Sequence, residues 1–271
     1  MEDQELVDVL DEVWRSIGDL GASLGEAEWK SPTELPGWTV QDTLVHLSAI
    51  ESMSLGRPWR DLPSAPDSDH IKNDVGRHNE DAVHSRRAWS GADALAEFRE
   101  LTRERIDGLR ALDTAGFDAD SWTPQGPGTV RTLLPFRVFD SYAHEQDMRR
   151  AVGKPGDTDG RAAALTLDTM ATAMPFVVGK KVGAPDGSTV VFSLTDPLAR
   201  VVAIQVVDGR AKPMAAAPDD PTVRLTMSTI TFERLGCGRV DPDAVLAGGD
   251  VAFDGDEALG RRIVAEMNYM F

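Results

Sequence analysis

Up to about residue 155, apolar side chains recur at three- and four-residue intervals. The pattern is interrupted by turn residues at Ser31-Pro32, Pro36-Gly37, Gly56-Arg57-Pro58, 63–66 and 124–128. This rhythm predicts helices over 3–20, 40–55, 73–89, 92–112 and roughly 133–152. Thr39, with Asp42 three residues on, is a capping-box variant opening the second of them. Gly153 followed by Pro155 stops the last: glycine tolerates the left-handed cap and proline cannot continue the helix. These two residues mark a domain boundary, dividing the chain into 1–155 and 156–271. One more helix, over 161–174, leads away from it. Beyond Lys181 the period shortens toward two. Segments 189–194 and 200–207 are β-branched strands, and Asp208-Gly209 is a hairpin turn. A strand over 223–227, a short helix capped by Ser228, a strand over 251–253 and a helix from Asp256 to about Met267 complete the pattern. The chain therefore reads as an all-helical segment followed by a small α+β segment whose sheet is covered by helices. The polar loop 58–69 (PWRDLPSAPDSD) is the segment best suited to mobility, unless its tryptophan packs.

Composition agrees with two domains. The length of 271 residues suits that count, and 41% hydrophobic with 27% charged residues is ordinary globular usage. The net charge of −17 is unevenly shared, with 29 acidic against 17 basic side chains in 1–155 and 16 against 11 beyond. Such acidity argues against nucleic-acid backbones and against anionic membrane surfaces. No apolar run approaches the ~18 residues that cross a bilayer, and Pro175 interrupts the best candidate, 171–178. The acidic, amphipathic N-terminus MEDQELVDVLDEVW is unlike a basic signal peptide. A single cysteine, Cys237, forms no internal disulfide and no cysteine-rich zinc module, which points to a reducing cytoplasm. Chemistry that needs a sulfur nucleophile has to bring it from elsewhere.

Two of the five histidines lie in amphipathic helices. His46 falls on a wide apolar arc of helix 40–55. On helix 133–152, taking Asp140 as zero, His144 lies at about +40° and Asp147 at about −20°, among Leu133, Phe136, Ala143 and Ala151. Two carboxylates and an imidazole on such a face need partners, because burying them unpaired costs several kcal/mol. Asp140 and His144, four residues apart, put two ligand-type side chains on adjacent turns. With His46 as third donor they form a facial set suited to zinc or another divalent first-row metal, and Asp147 is placed to orient an imidazole from behind. The same residues have a plainer reading: His46 as a satisfied core histidine, Asp147 with Arg150 as a surface pair. His70, His78 and His84 sit among charged residues and read as solvated.

LPGWTVQDTLVHLSAIE (35–51) closely resembles the N-terminal signature of the mycothiol-dependent maleylpyruvate isomerase family, a branch of the DinB-like helical proteins. FDSYAHEQDMRRAVGKP (139–155) resembles that family's second signature, and NDVGRHNEDAVHSRR (73–87) its middle helix. LGCGRVDPDAVLAGGDVAFDGDEALG (235–260) is similar to the sterol-carrier-protein-like domain that follows in these proteins. The resemblance implies a DinB-like four-helix bundle, then a small α+β sterol-carrier-like domain, with a metal, usually zinc, held by His46, Asp140 and His144. The isomerase type has glutamate at the carboxylate position, so Asp140 is a departure, shorter by one methylene.

The implied activity is that of a metal- and mycothiol-dependent enzyme. Mycothiol supplies the thiol, and the metal activates it for attack on a small-molecule electrophile, in maleylpyruvate-type cis–trans isomerisation or in S-transfer. Arg224, Arg234 and Arg239 are candidate carboxylate readers for a keto acid, with Arg224 and Arg239 as the expected cofactor-binding pair. Cys237 is expected to be structural, and Trp38 to pack the start of its helix. No nucleic-acid or membrane partner is expected, and the protein is a monomer or homodimer. A competing reading is a non-catalytic protein that binds a small molecule or partner through the sterol-carrier-like domain and carries a decayed metal site.

Overall fold

Four long helices build the first of two compact units, Met1–Gly156. The computed structural model describes residues 1–57, 59 and 61–270. Pro58 and Arg60, which belong to the predicted loop 58–69 and, for Pro58, to the Gly56-Arg57-Pro58 turn, lie outside the described residues with Phe271. Helix α1 (Asp3–Ala22) buries Leu6, Val9, Leu10, Val13, Trp14 and Ile17 along one stripe. It is followed by α2 (Glu26–Trp29), α3 (Val40–Ser54), α4 (Asp74–His84) and α5 (Gly91–Arg110). After α6 (Thr114–Phe117) comes a hairpin of β1 (Asp120–Thr123) and β2 (Gly126–Thr129), then α7 (Val130–Val152). Helix α1 packs against α5 and α7, and α3 against α4, α5 and α7.

Local chemistry sets the helix ends. The Thr39 hydroxyl accepts from the Asp42 amide while the Asp42 carboxylate accepts from the Thr39 amide, the reciprocal cap anticipated for α3. Helix α7 starts earlier than position 133, because Thr129 and Thr132 cap it and Pro135 is tolerated inside. It stops at Gly153, whose φ of 65° suits the left-handed cap. The one-turn helix α2 carries no periodic signal; Trp29 is instead buried against Gly91, where a Cβ would lie 2.0 Å from the indole.

The second unit, Asp157–Met270, is α+β. Helix α8 (Arg161–Phe176) leads to strands β3 (Thr189–Thr195), β4 (Arg200–Val207), β5 (Arg210–Pro213) and β6 (Val223–Ser228). Helices α9 (Thr229–Gly236) and α10 (Pro242–Gly248), strand β7 (Ala252–Gly255) and helix α11 (Glu257–Ala265) follow. The sheet order is β5-β4-β3-β6-β7, with β3 and β6 parallel and every other pair antiparallel. Val190, Val191, Phe192 and Leu194 of the central strand are all buried, whereas β6 alternates Val223, Leu225 and Met227 inward.

Pro175 does not cut the apolar run. The chain passes from α8 directly into a π-helical turn, Val177–Lys181, where the Val182 amide bonds the Val177 carbonyl. Proline removes one amide donor, and a widened turn after it keeps the helix continuous. The helix Arg161–Lys181 is therefore long and apolar enough to cross a membrane by length and composition, contrary to the sequence expectation. Its apolar face (Ala163, Leu167, Met170, Met174) is buried in the unit it belongs to, where the helix packs on β4, β5 and α9.

Candidate metal centre

Helices α3 and α7 each bring polar groups into the bundle. Helix α3 is buried on almost every side, including Gln41, Asp42, Thr43, His46, Ser48, Glu51 and Ser52, so a single apolar arc understates it. Helix α7 behaves likewise from Arg137 to Met148. Where they meet, His46, Asp140 and His144 each direct one donor atom into a space in which all lie within 4.8 Å of one another. Asp140 Oδ1 is 3.8 Å from His46 Nε2 and 3.6 Å from His144 Nε2. The two imidazole rings meet edge-on with centroids 4.9 Å apart.

The electrostatics favour donors over an internal ion pair. Burial, the dominant influence, pulls the His46 imidazole below its ordinary pKa despite the Asp140 carboxylate, so the ring is neutral with a lone pair to offer. Burial alone would raise Asp140, but the Arg137 guanidinium and the two imidazoles outweigh it and hold the carboxyl well below the usual carboxylate range. His144 Nδ1 lies 3.1 Å from Asp147 Oδ2, which leaves Nε2 facing the centre. His46 Nδ1 is buried and has no hydrogen-bond partner among the described residues.

Two nitrogens and one carboxylate oxygen bound at ~2.05 Å around a tetrahedral ion would sit about 3.3 Å apart. The two carboxylate–imidazole separations, 3.6 and 3.8 Å, exceed that by a few tenths of an ångström, and all three donors lie within 4.8 Å of one another. The residues present fit a divalent first-row metal by donor type, protonation and convergence. Asp147 is not half of a surface pair: it is fully buried, with Arg150 donating to its Oδ1 at 2.8 Å and Glu34 beyond, 2.8 Å from Arg150 Nε.

Several neighbours of this centre carry no signal in the helical periodicity. Arg137 Nη1 donates to Asp140 Oδ2 at 2.8 Å, and its Nε donates to Glu51 Oε1 at 2.7 Å. Arg105 Nε stands 3.6 Å from the other Glu51 oxygen. On another side, the Trp38 ring lies 5.2 Å from the His46 ring and 6.4 Å from that of His144. Its indole N–H is held by Glu80 Oε2 at 2.8 Å, and Glu80 also receives Arg87 and meets His70 at 3.0 Å. Trp38 thus does more than pack the helix start, and His70 is engaged instead of solvated. His78 is exposed, whereas His84 is half-buried. Trp59, within the loop 58–69, packs its ring under the Arg86 guanidinium at 3.5 Å. Arg224, Arg234 and Arg239 belong to the second unit, on β6, on α9 and just after α9, and so do not share the helices that carry the donors. Arg224 donates to the Pro218 carbonyl at 3.4 Å and Arg239 to the Cys237 carbonyl at 2.5 Å; Cys237 itself is buried.

Comparison with known proteins covers most of the chain. Residues 10–149 match the mycothiol maleylpyruvate isomerase N-terminal domain, and residues 164–262 match the MDMPI C-terminal domain. No curated protein matches. Among solved structures, the mycothiol-dependent maleylpyruvate isomerase is similar with a TM-score of 0.58 and 17% identity, covering 94% of this chain and 93% of that one. A histidine-to-alanine mutant of it aligns over the same shares at 17% identity and a TM-score of 0.55. At that identity the likeness concerns the fold. Sterol carrier protein 2 from Yarrowia lipolytica aligns with 42% of this chain and 98% of its own at 13% identity, with a TM-score of 0.29, too low to argue from.

Proposed function

The chain belongs to the mycothiol maleylpyruvate isomerase family, and from that premise we propose that it is a metal-dependent enzyme using mycothiol on a small electrophilic substrate. The observation that carries this reading is the convergence of His46 Nε2, Asp140 Oδ1 and His144 Nε2 inside the family-matched bundle. A divalent metal there, zinc by the affinity of its nitrogen and carboxylate donors, would supply Lewis-acid stabilisation of a thiolate at neutral pH. The chain's own residues set up that chemistry. His46 and His144 offer one imidazole nitrogen each and Asp140 one carboxylate oxygen, so this donor set would leave a bound dication with net positive charge. Asp147 fixes the His144 tautomer, and Trp38 walls one side of the donors. Mycothiol would supply the nucleophile, since Cys237 is a buried thiol and buried structural cysteines are inert.

The electrophile is maleylpyruvate or a related keto acid in an isomerisation, or a carbon that retains the thiol in an S-transfer. Arg224 and Arg239 are proposed as carboxylate or cofactor readers on chemical grounds alone. The protein works in the cytoplasm, where low-molecular-weight thiols stay reduced, as a monomer or homodimer. The non-catalytic reading, with a decayed metal site, has less support because all three donors are present and converge. The deciding experiment incubates zinc-loaded protein with mycothiol and a panel of electrophiles that includes maleylpyruvate, following product mass. Turnover that needs both thiol and metal is expected. A stably folded, zinc-loaded protein inert across the panel would return the choice to a binding role.

A further inference from the structure

Asp140 has two oxygens with different surroundings. Oδ1 faces both histidine Nε2 atoms, and Oδ2 is occupied by the Arg137 guanidinium at 2.8 Å. Arg137 is almost wholly buried, on the same helix one turn before Asp140. A buried guanidinium bound only to Asp140 would move with it. Here it is anchored from the opposite side: Nε and Nη2 each lie 2.7 Å from Glu51 Oε1. Glu51 is on α3, five residues after His46, is buried too, and has Arg105 of α5 3.6 Å from its second oxygen. A continuous line of alternating charges therefore runs Arg105, Glu51, Arg137, Asp140 and ends at the donor cluster.

A lone buried charge costs several kcal/mol, and each member of this line is compensated by the next. The planar guanidinium is the one side chain that can serve two carboxylates in fixed directions; a lysine ammonium lacks that fork. The line thus links α3, which carries His46, to the ligand carboxylate on α7, and it occupies the oxygen that Asp140 would need in order to bind a cation through both.

We infer that Arg137, anchored by Glu51, is a positioning residue that holds Asp140 as a one-oxygen ligand and so keeps further coordination positions open for thiol and substrate. The inference rests on the proposed metal site. Arg137 hydrogen-bonds the site at Asp140, holding Oδ2 in place, while its charge is felt by the neighbouring donors as well.

The test compares wild type with two variants. Arg137→Lys keeps the buried charge but cannot bridge both carboxylates. Glu51→Gln/Arg137→Gln removes the central pair together, so that neither Glu51 nor Arg137 is left facing an uncharged partner, while Arg105 and Asp140 each lose one counter-charge. Zinc affinity is measured by chelator competition, the visible absorption of the cobalt(II)-loaded proteins reports coordination, and far-ultraviolet circular dichroism reports the fold. With the helical signal retained, zinc binding should weaken 10–100-fold in Arg137→Lys, which keeps the cation beside Asp140 and loses only its two-carboxylate anchoring. The cobalt spectrum should shift toward higher coordination as Asp140 gains freedom to use both oxygens. Folded variants that keep wild-type affinity and spectrum overturn the inference while leaving the metal site standing; Arg137→Lys decides alone if the double variant does not fold. Wild type that binds neither zinc nor cobalt takes the metal site and the inference down together.

Discussion

His46 and His144 look alike in sequence, but their second nitrogens differ. His144 Nδ1 is engaged by Asp147 at 3.1 Å, whereas His46 Nδ1 is buried without a hydrogen-bond partner among the described residues. Replacing His46 by alanine breaks no hydrogen bond at Nδ1 and removes a buried unsatisfied group, so the fold should survive it. His46→Ala and His144→Ala are each expected to abolish stoichiometric zinc while the circular dichroism spectrum stays that of a helical bundle. Zinc retained at one equivalent in either variant, measured by elemental analysis, would remove that residue from the site. Asp147→Asn tests the orienting role separately: affinity should fall by about tenfold or more, since a carboxylate both fixes the tautomer and raises ligand basicity. Chelator competition gives the number, and an unchanged affinity would reduce Asp147 to a structural ion pair with Arg150.

Helix α3 holds its register through devices at its first turn. Thr39 and Asp42 cap it reciprocally, and Trp38, one residue earlier, is anchored on Glu80 of α4. Thr39→Ala should cost about 1 kcal/mol in urea unfolding. A cost near zero would mean that Asp42 and the surrounding packing hold the helix start unaided. The α3–α4 contact also carries a pH dependence. Burial alone would push the Glu80 carboxyl up, but hydrogen bonds from His70 and Trp38 and the Arg87 charge bring it below its ordinary value of 4.5. A carboxyl depressed on folding contributes stability that is complete above about pH 4.5 and is lost as the pH falls through the lower folded-state value. Glu80→Gln should therefore lose less unfolding free energy than wild type on going from about pH 5 to pH 3. Parallel acid limbs in the two proteins would show that Glu80 is not a source of the acid sensitivity.

At the scale of the whole molecule, the charge of −17 and the lone cysteine acquire a location. Some of the acidity is internal to the first unit, where Asp42, Glu51, Glu80, Glu145 and Asp147 are buried. Each of these five faces a basic side chain: Arg87 for Asp42 and Glu80, Arg137 for Glu51, Arg149 for Glu145 and Arg150 for Asp147. Zinc bound at the proposed centre would add stability by mass action, about 2.7 kcal/mol when free metal is a hundred times its dissociation constant. Zinc should raise the thermal midpoint of the helical signal in wild type and leave His144→Ala unmoved. An equal rise in both would place the binding elsewhere. Cys237→Ala should retain mycothiol-dependent turnover, because the buried thiol is not the nucleophile; loss of turnover in a folded variant would reverse that assignment.

Helix and strand periods, the Thr39 and Ser228 caps, the Gly153 stop and the Asp140–His144 spacing follow from backbone geometry acting over a few residues, and the sequence by itself determined them. The same locality made Asp140, His144 and Asp147 legible as one face of one helix. Two elements carry no periodic signal and were not legible: α2, held by the distant contact of Trp29 with Gly91, and the π-turn that carries α8 past Pro175. The approach of His46 to Asp140, the Glu51–Arg137 line and the Trp38–Glu80–His70 cluster were decided by the tertiary structure alone. A buried charge is tolerated only beside its partner, and that partner lies on whichever helix the global packing of apolar faces brings next to it.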